Sequence, residues 1–303
     1  MSLAIVIDVL MGKGSPLHSK VLWQMRLPRA VLGAIIGAGL AMAGVGMQAL
    51  FKNPMASPYI LGLSSGAAFG AALAIVLGLT ILPGNLGIPS MAFIFCFLTL
   101  MLVYGIAKSH GRVPVETLLL AGIAVGAFFS ALVNLLTYLA KDELASIVFW
   151  MMGDLSQFGW GNIRIVLPLI SIGGALIYYY ARDLNAMMLG DNHALNLGIE
   201  VSTVRFRVLL ASALITAAAV SFVGIIGFVG LVVPHMIRMV IGPDHRILIP
   251  ASAIAGAVFL VSCDIASRLI LDVTVLPIGI TTALIGAPYF IYLLRRRRRE
   301  IGW

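Results

Sequence analysis

The sequence predicts an all-α protein, a polytopic bundle of membrane-spanning helices. Of the 303 residues, 61% are hydrophobic and 11% are charged, whereas soluble domains carry about 25% charged residues. The apolar residues form continuous runs of spanning length instead of alternating, which favours helices over the strands of a membrane barrel. Both cysteines, Cys96 and Cys263, lie inside apolar runs. A disulfide framework is therefore excluded, together with a disordered or collagen-like chain.

Nine apolar runs predict spans, and together they make residues 1–303 one transmembrane domain. These runs are 30–51, 58–82, 88–107, 115–139, 163–181, 206–223, 225–241, 248–267 and 274–294. Residues 143–153 predict a shorter helix between two spans. The stretch 206–241 is divided into two spans because arginines flank it on both sides, and the positive-inside rule places both flanks in the cytoplasm. The turn is expected near residues 221–227.

The charges orient the chain. The run Arg295–Arg299 directly follows the last span, which is typical of a cytoplasmic membrane anchor and not of a nucleic-acid-binding face. With this basic tail, 295–303, in the cytoplasm, the loop 182–207 is cytoplasmic as well, and residues 1–25 lie outside. We therefore expect membrane lipid, and no nucleic acid, as a partner despite the net charge of +8.

The N-terminal segment departs from these rules in two ways. Residues 1–10 are apolar but too short to span, so we expect them to be the tail of a first span whose beginning this chain lacks. Four basic residues then lie outside, against the positive-inside rule: Lys13, Lys20, Arg26 and Arg29. Two interpretations stay open. Either a span is missing or miscounted, or a positive outer face meets an acidic partner.

Small residues at four-residue spacing predict close packing between helices, since small side chains let backbones approach each other in lipid. The repeats are Gly33/Gly37/Ala41, Gly62/Gly66/Gly70 and Gly122/Gly126. Gln48 and Asn134 are expected to form interhelical hydrogen bonds. The pattern marks a compact bundle and assigns no function.

The sequence carries no recognisable catalytic or metal-binding constellation. It has no GxxxxGK[ST] motif and no Cys/His cluster at ligand spacing, so we expect no catalytic residue, metal or cofactor on this chain. Asp264 is a candidate for an ion relay, or it pairs with Arg268 one helical turn later. His235 follows Pro234 and either satisfies the carbonyl that the proline frees or acts as a gate.

Several ungapped stretches are more specific than composition. They are Arg26-Leu-Pro-Arg29, Gly37-Ala-Gly-Leu-Ala-Met-Ala-Gly44, Gln48, Asn53-Pro-Met-Ala-Ser-Pro58, Leu61-Gly-Leu-Ser-Ser-Gly-Ala67, Trp150-Met-Met-Gly153, Leu189-Gly-Asp…Leu197-Gly198, Gly227-Phe-Val-Gly-Leu-Val-Val-Pro-His-Met-Ile-Arg238 and Leu276-Pro-Ile-Gly-Ile-Thr-Thr-Ala-Leu-Ile-Gly-Ala-Pro-Tyr-Phe290. In this order, over roughly residues 20–295, the chain resembles the FecCD-type permeases of ATP-binding-cassette importers for iron-siderophores, heme and cobalamin.

The resemblance implies an assembly in the plasma (inner) membrane of a prokaryote. Its expected members are two permease copies of ten spans each, two ATPase subunits that use ATP, and a soluble substrate-binding protein. This chain would be a transport subunit and not an enzyme, with its C-terminus in the cytoplasm. The sequence shows nine of the ten spans, and the first is the one that is missing.

The resemblance also implies roles at the two faces of the membrane. Arg26, Arg29 and Arg268 would meet glutamates of the binding protein, for which a planar guanidinium is well suited. Within 182–207, Asp191 would begin and Gly198 would end a coupling helix. That helix would contact the ATPase, with its apolar side chains in the ATPase groove. The coupling residues are Leu189, Gly190, Asp191, Ala194, Leu195, Leu197 and Gly198.

A third implied site is the cytoplasmic gate, formed by Asn53, Pro54 and Met55. Pro54 breaks the helix there, and Met55 replaces the family's usual leucine with another apolar residue. Val275 stands where the family often has glutamate before Leu276-Pro-Ile-Gly, so any role of that acid is absent here.

The expected function is import of an iron chelate, heme or cobalamin. An oxyanion such as molybdate is the alternative within the same family. Outside the family, the alternatives are a gradient-driven secondary transporter and an intramembrane enzyme that uses His235 and Asp264. A channel is a weaker third, because no ring-forming selectivity motif is visible.

Overall fold

The computed structural model describes residues 3–108, 113–156, 159–270 and 275–301, and in these residues it contains helices and no strand. We number the α-helical elements as follows: α1 Leu3–Leu10, α2 Pro16–Leu50, α3 Leu63–Leu77, α4 Gly87–Ala107, α5 Val115–Leu139, α6 Leu144–Met152, α7 Trp160–Tyr179, α8 Ala181–Met188, α9 Asp191–Asn196, α10 Val201–Val223, α11 Val229–Ile241, α12 His245–Leu269 and α13 Ile278–Ile301.

Each of the nine apolar runs coincides with a helix. Six helices, namely α2, α4, α5, α7, α10 and α12, are long and apolar enough to cross a membrane. Three shorter apolar helices, α3, α11 and the 278–292 part of α13, account for the other runs. The turn expected near 221–227 separates α10 from α11, and α6 is the short helix expected at 143–153. The all-helical class is confirmed, while the number of membrane crossings stays a prediction.

Helices extend into both predicted terminal segments. Within 1–25, α1 spans Leu3–Leu10, and α2 begins at Pro16 and continues to Leu50. The location of residues 1–25 outside the membrane stays a prediction. A π-helical stretch, Val21–Arg26, precedes Pro28 and lets the helix continue through the proline, which has no N–H to donate. At the other terminus α13 runs to Ile301, so the tail 295–303 is helical up to that residue. Arginine is a strong helix former, which explains the extension.

The helix α2 packs against α7, α8, α10, α11 and α12. A Cβ atom on Gly37 would overlap the carbonyl oxygen of Gly256 in α12, and one on Gly44 would overlap the carbonyl oxygen of Gly230 in α11. The backbones are therefore in direct contact at these points, as the spacing of small residues predicted. A predicted interhelical bond also forms here, since Gln48 Nε2 donates to the Leu231 carbonyl of α11 at 3.1 Å.

The bundle has two ends, which the course of α2 defines. Arg29, near the start of its α-helical part, contacts Asp264 in α12. Lys52, just after its last residue, contacts Asp191 in α9. We call these the Asp264 end and the Asp191 end. The residues between Arg29 and Leu50 rise about 30 Å at the α-helical pitch, which equals the thickness of the hydrocarbon core of a membrane.

Candidate functional site at the two ends of the bundle

A buried carboxylate lies at the Asp264 end. The side chain of Asp264 is 3% exposed, and two arginines on different helices bind it. Arg29, from α2, donates from Nε and Nη2 to Oδ1 at 2.8 and 2.7 Å. Arg268, one turn later on α12, donates from Nη2 to Oδ2 at 2.5 Å. Both carboxylate oxygens are thus bound by charge-assisted hydrogen bonds.

This cluster confirms the predicted pairing of Asp264 with Arg268 and adds Arg29 to it. Sequence spacing alone cannot reveal the second partner, because Arg29 and Asp264 are 235 residues apart. The three arginines that we expect to contact the binding protein therefore differ in how much of each side chain is exposed. Arg26 is exposed, Arg268 keeps 32% of its side chain exposed, and Arg29 keeps 11%.

The same end of the bundle contains a cavity of about 550 Å³. Its walls come from α6, from residues 153–156 and from residues 275–277, and they are mainly apolar. Two backbone hydrogen bonds hold these segments together. Asp154 N donates to Val223 O at 2.9 Å, and Ile278 N donates to Gly153 O at 3.1 Å.

A second, more open cluster lies at the Asp191 end. Lys52 Nζ donates to Oδ1 of Asp191 at 2.8 Å, and Arg205 Nη2 donates to Oδ2 at 2.9 Å. Arg205 also donates from Nη1 to the Val113 carbonyl at 3.2 Å, which ties α10 to the start of α5. Partial burial favours a higher pKa for Asp191, but the hydrogen bonds and charges of Lys52 and Arg205 outweigh it and lower that pKa below its ordinary value.

The predicted coupling helix is present as α9. It begins at Asp191, after Gly190 at φ +129°, and it ends before Gly198 at φ +80°. Ile199 N donates to Ala194 O at 3.0 Å and Gly198 N donates to Leu195 O at 2.9 Å. These two bonds satisfy the last carbonyls of the helix in the arrangement typical of a glycine-terminated helix. The flanking helices α8 and α10 occupy much of the predicted loop 182–207.

One residue of this segment does not face a partner. Ala194 is fully buried in the core of its own chain, so the expectation that it enters an ATPase groove is wrong. The exposed apolar surface of the segment consists of three leucines, Leu189, Leu195 and Leu197, which are 74%, 56% and 69% exposed. The short helix thus turns Ala194 inward and Leu195 outward.

The residues expected at the gate form a tight turn directly after Lys52. Asn53 Oδ1 accepts a hydrogen bond from Met55 N at 2.9 Å, and the Asn53 carbonyl accepts one from Ala56 N at 3.0 Å. Met55 is 37% exposed and Pro54 is half-buried. The turn therefore presents an apolar side chain at the surface of this chain. Its role as a gate stays a prediction.

Three other predicted candidates have different outcomes. Asn134 is exposed on α5, and its side chain forms no hydrogen bond within the part of the chain that the structure describes. His235 is half-buried on α11, and its bond to the carbonyl that Pro234 frees stays a prediction. Among the described residues, no group of three or more His, Cys, Asp or Glu side chains is placed to hold a metal ion.

Comparison with known proteins gives a consistent result. The model of the FecCD transport family matches residues 1–296. The cobalamin import permease BtuC of Halobacterium salinarum is 44% identical, over 91% of this chain and 74% of that protein. The hemin permease HmuU of Yersinia pestis is 41% identical, over 91% of this chain and 84% of that protein.

Two further comparisons cover the chain almost completely. The molybdate permease MolB of Haemophilus influenzae is 35% identical, over 94% of this chain and 83% of that protein. A solved structure, described as an inward-facing conformation of a metal-chelate type ABC transporter, superimposes with a TM-score of 0.86 at 34% identity. That match covers 97% of each chain.

Proposed function

This chain belongs to the FecCD transport family, the integral membrane permeases of ABC importers, and from that premise we propose that two copies form the path of an ATP-driven importer. The observation that carries the proposal is the exposed apolar surface of Leu189, Leu195 and Leu197 beside Asp191. Leucines exposed at one end of a membrane bundle favour burial by a protein partner over contact with water.

We assign this partner to the ATPase. The three leucines lie on and beside a short helix that is flanked by glycines, and such a helix fits into an apolar groove. Two ATPase subunits, one on each permease copy, would then lie at the Asp191 end. This end would face the cytoplasm, where the C-terminal arginines would also lie.

The Asp264 end would receive the soluble binding protein. The exposed Arg26 and the exposed third of Arg268 offer guanidinium groups to carboxylates of that protein. Arg29 would support this surface mainly by holding Asp264, because little of its own side chain reaches the surface. The chain itself would bind no cofactor, and ATP would be used by the partner subunit.

The substrate we propose is a metal chelate, either cobalamin or heme. These are the substrates named for the relatives that are 44% and 41% identical to this chain. Molybdate is a second candidate, because a molybdate permease is 35% identical over a comparable length. An iron-siderophore belongs to the same chemical class as the first two.

The proposal is tested by transport in proteoliposomes. The chain would be reconstituted with the ATPase and the binding protein encoded beside it, and uptake of cyanocobalamin, heme and molybdate would be measured in parallel. We expect uptake of one of them that requires ATP and the binding protein. The matched control is an ATPase whose catalytic glutamate is replaced by glutamine. Uptake that survives this replacement and collapses with the proton gradient would show a secondary transporter instead.

A further inference from the structure

The ion pair between Lys52 and Asp191 connects two segments that lie 139 residues apart. Lys52 is the residue immediately before the turn 53–56, which we propose as part of the gate. Asp191 is the first residue of α9, which we propose as the ATPase contact. The two segments therefore meet through one lysine and one aspartate.

We infer that the Lys52–Asp191 ion pair is the link through which movement of α9 reaches the turn 53–56. This inference rests on the proposed function and adds two positioning residues to it. Neither residue would touch the substrate. They would set the position of Met55 according to the position of the ATPase.

The local backbone makes Lys52 suitable for transmitting a displacement. Asn53 N donates to the Gln48 carbonyl at 3.2 Å, and Met55 N donates to Asn53 Oδ1 at 2.9 Å. The first bond joins the turn to the last helical turn of α2, and the second lies within the turn. Lys52 itself has φ +47°, a conformation that few residues other than glycine adopt. A change at Lys52 would therefore move the turn as a unit.

The α9 side of the link is also built to move as a unit. Gly190 and Gly198 flank the helix in backbone conformations that favour glycine, and they provide points at which a rigid short helix can rotate. Because Asp191 lies in the first turn, rotation of α9 would displace its carboxylate directly.

The two partners of Asp191 have separate tasks. Arg205 binds Oδ2, is 13% exposed, and is anchored to the Val113 carbonyl. Lys52 binds Oδ1 and is 38% exposed. Loss of Lys52 leaves the Arg205 bond in place, so Lys52 can be tested without detaching α9 from the rest of the bundle. The cluster lines an open cavity of about 410 Å³, which gives the lysine room to change position.

The test follows Met55 in the assembled transporter. Spin labels on M55C in the two permease copies report the distance between the two turns, and Cys96 and Cys263 are buried. Distances would be measured without nucleotide and with ADP and vanadate trapped after ATP hydrolysis. We expect the label–label distance to shift on trapping in the reference assembly, and K52Q to lose at least half of that shift while ATP is still hydrolysed.

Two matched variants accompany K52Q. K52R keeps the positive charge and should keep the shift. K108Q removes an exposed lysine at the same end that forms no ion pair among the described residues, and it should behave like the reference. If K52Q does not assemble with the ATPase, K52A serves in its place, since it removes the same bond and leaves the bond between Arg205 and Asp191 intact.

The outcomes separate this inference from the proposed function. If the label–label distance shifts equally in the reference and K52Q assemblies, the link is overturned and the proposed importer function is not affected. If trapping leaves the label–label distance of the reference assembly unchanged, that result contradicts ATP-driven gating. The link would then be overturned as well. Loss of the distance shift in K52Q, together with its retention in K52R and K108Q, supports the link.

Discussion

The two ends of the bundle contain the same chemical group in different surroundings. At each end one aspartate binds two basic side chains from separate segments of the chain. The Asp264 carboxylate is 3% exposed, whereas that of Asp191 is 41% exposed. A buried carboxylate cannot lose a partner without leaving an uncompensated charge, but an exposed one can exchange its partner for water. The first cluster is therefore a fixed clamp, and the second is a contact that can break and form again.

The basic residues that bind the two aspartates also differ, with the more rigid groups at the Asp264 end. Asp264 is held by two guanidinium groups, and Arg29 donates to one of its oxygens from two nitrogens. At the other end one partner is a lysine, a compact charge on a flexible stem. The fixed clamp joins α2 to α12, where a cavity or a partner surface has to keep its shape. The breakable contact lies between the segments that we expect to move.

The largest effect is expected from breaking the clamp. In D264N the two arginines lose the charge that compensates them, and removal of one partner from a buried ion pair costs roughly 3–5 kcal/mol. We expect a clear fall in the melting temperature in detergent, measured by the reaction of a thiol-specific fluorophore with Cys96 and Cys263, which are buried in the folded chain.

The matched control for D264N is D142N, which removes an exposed acid from the loop after α5. It should melt like the unmodified chain. Equal melting of D264N and D142N would show that the Asp264 cluster contributes no stability, and the contrast between the two ends would lose its basis.

The next largest effect concerns the surface beside Asp191. L195D/L197D places two charges where we expect the ATPase groove. We expect at least a tenfold loss of ATPase binding, because an unpaired charge is costly to bury in an apolar groove. Pull-down of the ATPase in detergent measures this. The control is L79D/I81D, two exposed apolar positions in the loop after α3. If this pair abolished ATPase binding equally, the effect would not be specific to α9.

These two ends also show what the sequence can and cannot predict. The nine apolar runs, the Asp264–Arg268 pair and the bounds of α9 were predicted because each depends on residues close together in the chain. The contacts of Arg29 with Asp264 and of Lys52 with Asp191 depend on which helices are neighbours, and one sequence does not contain that information. Ala194 was misplaced because its orientation depends on how α9 packs on its own chain.

The start of α2 was missed for a different reason. Pro28 is normally read as a helix boundary, and the π-helical stretch before it has no sequence signal that we could identify. The sequence therefore predicted where the helices lie more accurately than it predicted their first and last residues.

A smaller effect is expected at the Asp264 end when the exposed charge alone is reversed. R26E should weaken docking of the binding protein several-fold and more strongly at low salt, because charges at the rim of an interface act over a distance that salt shortens. Titration of the binding protein against proteoliposomes at 50 and 500 mM NaCl measures this. K141E, another exposed basic residue, is the control. Docking that is unchanged at both salt concentrations would remove Arg26 from the surface.

The smallest effect is expected from a change of pH. This test distinguishes Asp191 from a group that gains or loses its charge near neutral pH. Because the pKa of Asp191 in the folded protein is lower than its ordinary value, the carboxylate stays charged down to that lowered pKa. Its bond to Lys52 should therefore contribute fully above the ordinary pKa of about 4 and weaken only as pH falls through the lowered value. Between pH 6 and 8 we expect the ATP-dependent shift of labelled Met55 to change by less than twofold. A shift that disappears as pH falls from 8 to 6 would mean that a group with a higher pKa, and not Asp191, controls the turn.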